Sequence, residues 1–125
     1  MSGGNISQNE ATVNGGGVFA SGNTFTLSGG TIGGSADDAN TAVMGAGVFV
    51  DDGTSATFGS STGAEISYNA ASTAGGGIAV DGDGSRLYFT GLVTVKNNYM
   101  GPETAPVICN VYLDLDNNEI GRAHV

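Results

Sequence analysis

A glycine-rich motif that returns every thirty residues constrains this chain more than any other feature. Residues 15–20 read Gly-Gly-Gly-Val-Phe-Ala, residues 45–50 read Gly-Ala-Gly-Val-Phe-Val, and residues 75–80 read Gly-Gly-Gly-Ile-Ala-Val. A fixed period in this range is typical of a solenoid, in which one supersecondary unit stacks on copies of itself. A later echo, Val-Tyr-Leu at residues 111–113, follows a slightly longer spacing that contains both prolines.

Short apolar segments recur within each period and predict three β-strands per coil. The first strand is the triplet at residues 18–20, 48–50 and 78–80, whose outer two residues are always aliphatic. A second strand follows each triplet, and a third is centred on an isoleucine or valine. Because alternate strand residues face opposite sides, the outer triplet residues should face inward. The other residues predicted to face inward are Phe25, Leu27, Phe58, Leu87, Phe89, Ile6, Ile32, Ile66 and Val95.

A polar residue lies three positions beyond each centre of the third strand. These residues are Asn9, Ser35, Asn69 and Asn98. A polar side chain at a corner can hydrogen-bond to its copies in the coils above and below, and so satisfy backbone groups that the corner leaves open. The spacing therefore predicts a ladder of stacked polar side chains.

Three strands per coil with glycine-rich corners indicate an all-β fold, a right-handed single-stranded parallel β-helix of about three to four coils. Glycine supplies the positive φ angles of the corners, and no segment shows the period of an amphipathic helix. The hand follows from the general preference for right-handed crossovers between parallel strands. The solenoid is predicted to span residues 1–119. Unpaired strand edges at its two ends predict self-association through the coil ends.

Both ends of the chain carry atypical patterns. Residues 1–6 align with residues 27–32, in the middle of a repeat, so Met1 is expected to be an internal methionine of a longer protein. Residues 120–125 read Ile-Gly-Arg-Ala-His-Val, which resembles a short-read sequencing adapter translated in frame. They are interpreted as a non-native tail and set aside before the fold is considered. Arg122 and His124 are accordingly given no functional role.

The charge balance excludes some classes of partner. Twelve acidic residues against three basic ones give a net charge of −9. Such a chain repels phosphate backbones and anionic lipids, so neither nucleic acid nor a membrane surface is an expected partner. No apolar run is long enough to cross a bilayer, and direct membrane insertion is not expected. The single cysteine, Cys109, shares a repeat position with small residues and is expected to act as a small hydrophobe.

The unit at residues 15–32 resembles the right-handed β-helix repeats of bacterial surface proteins, and is similar to adhesin-like and polymorphic outer-membrane passenger domains. The resemblance covers residues 1 to about 119. The second coil departs from it, because extra residues precede Ile66 and a loop is expected there. The resemblance implies a secreted or cell-surface bacterial protein with a structural or adhesive role, whose loops bind glycans or proteins of the host or the parent cell envelope.

Aspartates after the second and third triplets raise the question of a calcium site. Asp51 and Asp81 occupy the same repeat position, and Asp83 follows closely. Stacking would bring like charges within about one strand spacing, where they repel. Ca²⁺ held by Asp51, Asp81 and Asp83 would relieve that repulsion. The alternative is a set of solvated turn residues, because exposed charges cost little.

Paired carboxylates leave a second functional class open, a non-catalytic fragment of a β-helical polysaccharide lyase or glycoside hydrolase. The candidate pairs are residues 37–38 and 51–52. Glycoside hydrolysis needs two carboxyl groups about 5–9.5 Å apart that flank a cleft, and no cleft-forming loop is evident around either pair. No catalytic residue is assigned and no enzymatic activity is expected, since a β-helix fold alone does not imply one.

The middle residues of the triplets form the better candidate for ligand binding. Phe19, Phe49, Ala79 and Tyr112 occupy this position in successive coils and should form an outward column. Exposed aromatic rows can stack on sugar rings or bind a partner surface. The alternative is that a long loop or a neighbouring region covers them.

Overall fold

The computed structural model describes residues 1–114 and 123–124 and is a parallel β-solenoid of about four turns. Apart from one 3₁₀ turn at Ala36–Asp38, its described elements are strands. They are β1 (Ser2–Ile6), β2 (Val18–Ala20), β3 (Thr24–Leu27), β4 (Gly29–Gly33), β5 (Thr41–Met44), β6 (Val48–Val50), β7 (Ser55–Phe58), β8 (Ala64–Ser67), β9 (Ala70–Ala74), β10 (Ile78–Asp81), β11 (Arg86–Phe89), β12 (Val93–Lys96), β13 (Tyr99–Met100), β14 (Val107–Ile108), β15 (Val111–Asp114) and β16 (Ala123–His124).

The strands form four sheets rather than the three that the sequence predicts. Their orders are β1-β4-β8-β12, β2-β6-β10-β15, β3-β7-β11-β16 and β5-β9-β13-β14. All neighbours are parallel except β13 and β14, which are antiparallel. The fourth sheet was missed because small residues dominate its interior: Ala42 and Ala71 pack with Ala46 in a separate cluster. Alanine at these interior positions gives little of the alternating hydrophobic contrast that usually indicates a half-buried strand.

The register of the second sheet confirms the thirty-residue repeat. Val18 pairs with Val48, Val48 with Ile78, and Ile78 with Val111. Because each strand stacks on its own copy, like side chains form continuous columns inside the solenoid. Apart from Ala20, and from the exposed Val111 and Leu113 in β15, the residues predicted to face inward belong to the main hydrophobic core or pack against it. Fully buried aliphatic side chains of this kind each contribute about 1.5–3 kcal/mol.

Three phenylalanines form an aromatic column within that core. The ring centroids of Phe25 and Phe58 are 5.8 Å apart with an edge-on geometry, and those of Phe58 and Phe89 are 5.7 Å apart and stacked. Phe58 has no exposed surface. Contacts between aromatic rings at this separation add about 0.5–1.5 kcal/mol beyond the burial of area, so the column stabilises the junction between β3, β7 and β11.

A ladder of asparagines fills the corner that precedes the fourth sheet. Nδ2 of each rung donates to Oδ1 of the next, and the backbone N–H of the same rung donates to that oxygen as well. The side-chain distances are 3.0, 2.8, 3.0 and 3.1 Å in chain order. The inner three rungs have no exposed surface. The rungs are Asn9, Asn40, Asn69, Asn98 and Asn110.

The ladder is confirmed, but the prediction of Ser35 as its second rung is wrong. The chain makes an extra 3₁₀ turn after β4, and Ser35 begins that turn with its Oγ donating to Oδ2 of Asp38 at 2.7 Å. Because of this extra turn, Asn40 lies at the corner in place of Ser35. The last rung was also missed, because Asn110 follows Asn98 by only 12 residues after the chain reverses through β14.

Variations in repeat length are absorbed at the corners. Five residues, 59–63, separate β7 from β8, whereas a single residue separates β3 from β4. The loop that the sequence predicts before Ile66 is therefore present. Ser60 holds it in place, since Oγ of Ser60 accepts the N–H groups of Thr62 at 3.2 Å and Gly63 at 3.3 Å.

We expect Gly33→Ala to lower the free energy of unfolding by about 2–3 kcal/mol. Gly33 has a φ of +90°, and an added Cβ would overlap the carbonyl oxygen of Ser67 in the next coil. Gly53 is the matched control, because its φ is +70° and nothing lies within 4 Å of an added Cβ. Gly53→Ala should therefore cost only the backbone strain, about 1 kcal/mol. Urea unfolding of both variants tests this, and equal losses would contradict the close stacking at Gly33.

Candidate functional site

The three aspartates considered as calcium ligands share one corner of the solenoid. Val80 pairs with Val50, so Asp81 follows alongside Asp51 as the repeat predicts. Oδ2 of Asp51 accepts the hydroxyl of Ser21 at 3.2 Å, and the backbone carbonyl of Asp83 accepts the N–H of Gly53 at 3.1 Å. Within residues 1–114, no group of three or more Asp, Glu, His or Cys side chains is placed to hold a metal ion. A calcium site at Asp51, Asp81 and Asp83 therefore stays a prediction.

The prediction of a continuous exposed aromatic column is wrong. Phe19 is 53% exposed and Tyr112 is 36% exposed, but Phe49 is only 2% exposed and Ala79 is fully buried. Phe19 stacks on Phe49 with ring centroids 5.2 Å apart. In addition, the chain at Gly45 passes so close to Phe49 that even a Cβ at that glycine would meet its Cα and Cβ.

A polar groove lies on the outer face of the sheet β1-β4-β8-β12. Glu65 pairs in register with Thr31 on one side and with Thr94 on the other, so the three side chains lie side by side across adjacent strands. The groove has a volume of about 350 Å³ and is completed by Gly30 and residues 62–64. The loop 59–63 therefore forms one of its walls. Oε1 of Glu65 accepts the hydroxyl of Ser67 at 2.6 Å, which orients the carboxylate.

No motif in the sequence singles out Thr31, Glu65 and Thr94, which line this groove. The available signal was their position: each directly precedes an inward residue, namely Ile32, Ile66 and Val95, and so must point outward. The insertion before Ile66 is the second feature that could have predicted the groove, because an extended loop beside an outward row of polar residues forms one.

The remaining candidate residues serve local structure. Cys109 is half-buried, and its Sγ accepts the N–H of Gly75 at 3.3 Å. The two carboxylate pairs lie on different corners, residues 37–38 between β4 and β5 and residues 51–52 between β6 and β7. The structure therefore does not bring them together across one cleft. The proposed tail at residues 120–125 lies outside the described residues except for the backbone of β16.

No family model, no curated protein and no solved structure matches this chain. Among the residues that the structure describes, there is no helix of the length and apolar character needed to cross a membrane.

Proposed function

We propose that this chain is a structural segment of a secreted or cell-surface bacterial solenoid protein that binds neutral glycans through the groove around Glu65. The groove is the observation that carries the proposal. Its side chains are two threonine hydroxyls in register with a carboxylate, together with Thr62 on the loop. Hydroxyls both donate and accept hydrogen bonds, and a carboxylate accepts them, so this set is complementary to the hydroxyl groups of a sugar.

The stem beneath the groove supports a display role. Glu65 belongs to a strand whose inward neighbours, Ala64 and Ile66, are in the main core. The asparagine ladder runs beside the same strand and ties successive coils together. Binding groups on such a rigid element lose little conformational entropy when a ligand binds. The net charge of −9 favours neutral over sulfated or otherwise anionic glycans, because like charges repel.

We expect the full chain to be retarded in native gels that contain a neutral polysaccharide, and not in gels that contain a sulfated one. Glu65→Gln and Thr94→Ala should each weaken binding by roughly fivefold to tenfold, which corresponds to the loss of about 1 kcal/mol of hydrogen bonding. Thr26→Ala is the matched control, since Thr26 is an exposed strand threonine on a different sheet. It should leave binding unchanged.

Three outcomes would count against this proposal. Retardation by no neutral polysaccharide would exclude glycan binding by the chain, and retardation insensitive to both groove variants would place the binding elsewhere. Release of new reducing ends during incubation would show that the chain itself cleaves a glycosidic bond, which contradicts a role limited to structure and binding.

A further inference from the structure

The N-terminal face of the solenoid has the features of an interior junction between coils. The strands β1, β2 and β3 stand at the end of their sheets, so one edge of each is unpaired within the described chain. Ile6, Val18 and Phe25 are only partly buried although they pack on the main core. A depression of about 270 Å³ lies there, lined by Val18, Phe19, Phe25 and Asn23 among others. Unpaired edges beside apolar residues are a template for another strand.

The asparagine ladder makes the two ends of the solenoid different in their hydrogen-bonding groups. In every step Nδ2 of the earlier rung donates to Oδ1 of the later rung. Within residues 1–114, Oδ1 of Asn9 accepts no hydrogen bond and Nδ2 of Asn110 donates none. An acceptor is thus left open at the N-terminal end and a donor at the C-terminal end. The two ends are complementary to each other and not to themselves.

The strand at the opposite end of the second sheet, β15, resembles the strand that would pair with the free edge of β2. Val111, Tyr112 and Leu113 pair with Ile78, Ala79 and Val80, and so repeat the order of side chains found in β2. All three are at least 36% exposed. Phe19 already stacks on Phe49 through one ring face, and its exposed surface is available for the ring of Tyr112 from another copy.

The acidic column on the neighbouring corner is also compatible with this contact. Its members are Ser21, Asp51, Asp81 and Asp114 in chain order. Joining the C-terminal end of one copy to the N-terminal end of the next would place Asp114 beside Ser21, and no additional pair of carboxylates would be created. Joining two N-terminal ends would instead oppose two Asn9 oxygens, which are both acceptors.

We propose that copies of this chain assemble head to tail, with β15 of one copy docking along β2 of the next and Asn110 donating to Asn9. Such a contact is heterologous, and when it does not close into a ring it generates filaments. Each copy carries a net charge of −9, which opposes the approach of two copies. Salt screens this repulsion, so assembly increases with ionic strength.

Sedimentation velocity of the full chain tests the proposal at about 0.05 M and about 0.5 M NaCl. We expect polymers whose size grows with protein concentration and with salt. Phe19→Glu removes only the N-terminal contact and Tyr112→Glu only the C-terminal one, so each variant alone should sediment as a monomer. An equimolar mixture should give a dimer that cannot grow, because the two intact faces are used in its contact and both outer faces carry a glutamate. Thr73→Glu, with the same added charge at an exposed position on β9 in the middle of the fourth sheet, should still polymerise.

A growing polymer, two monomeric variants and a capped mixed dimer together establish the head-to-tail contact. A wild-type chain that stays monomeric at all concentrations and both salt levels overturns it. A dimer formed by Tyr112→Glu alone also overturns it, in favour of contact between two N-terminal faces. Formation of the mixed dimer itself shows that both variants are folded.

Discussion

Asn69→Asp is expected to lower the free energy of unfolding by about 3–5 kcal/mol, or the melting temperature by roughly 10–20 °C. Asn69 is fully buried, and its Nδ2 donates to the carbonyl oxygens of Ile32 and Ser67 and to Oδ1 of Asn98. The aspartate keeps the shape of the side chain but replaces this donor with an acceptor. A buried carboxylate would then face three oxygens, which is far more costly than the loss of one hydrogen bond.

Asn23→Asp is the matched control for this prediction, because it adds the same charge at an exposed turn position. Its effect should stay within about 0.5 kcal/mol, as is usual for surface substitutions. Thermal and urea unfolding of both variants, with far-UV circular dichroism of the folded state, measure the difference. If Asn69→Asp melted within a few degrees of Asn23→Asp, the central rung of the ladder would not be a buried hydrogen-bonding group.

The parts of the fold that the sequence predicts are those in which a large side chain marks the repeat. Val18, Val48 and Ile78 are separated by equal steps, and the structure places them in register. Phe58 and Ile66 are likewise buried on the predicted side. In a solenoid, equivalent residues of successive coils stack on one another. Comparing three imperfect copies of the repeat therefore predicts the strand register better than any single segment could.

The predictions from sequence are wrong where the hydrophobic pattern is weak or where an insertion shifts the repeat along the chain. Ala42 and Ala71 are the interior residues of β5 and β9, yet alanine carries little hydrophobic contrast with the serine and threonine around it. Ser35 occupies the expected ladder position in the sequence, but an extra 3₁₀ turn moves the corner to Asn40. A fixed spacing cannot show such a detour, because loop insertions in a solenoid leave the stacking of the neighbouring strands unchanged.

The groove could be predicted only in part for a related reason. The alternation of side chains along a strand places Glu65 outward, and the extra residues before Ile66 indicate a loop. Whether that loop forms a wall depends on how it is held, and this is decided by hydrogen bonds to Oγ of Ser60. Local side-chain contacts to the backbone of this kind are not encoded in a hydrophobic pattern.

Ile66→Asn is expected to cost about 3–5 kcal/mol, whereas Thr57→Asn should cost less than about 1 kcal/mol. Ile66 has no exposed surface and stacks in register between Ile32 and Val95. The substitution removes an aliphatic side chain from the core and leaves an amide there without partners. Thr57 lies on the outward side of β7, where an amide can reach water.

Thermal unfolding of the two variants compares the same new side chain on opposite faces of the solenoid wall. Ile66→Val provides a further control, since it keeps the site apolar and should cost only about 0.5–1.5 kcal/mol. Similar melting temperatures for Ile66→Asn and Thr57→Asn would mean that the inward and outward assignments are wrong. Because all sheets are stacked by the same repeat, that result would also remove the basis for placing Glu65 in the groove and Asn69 in the ladder.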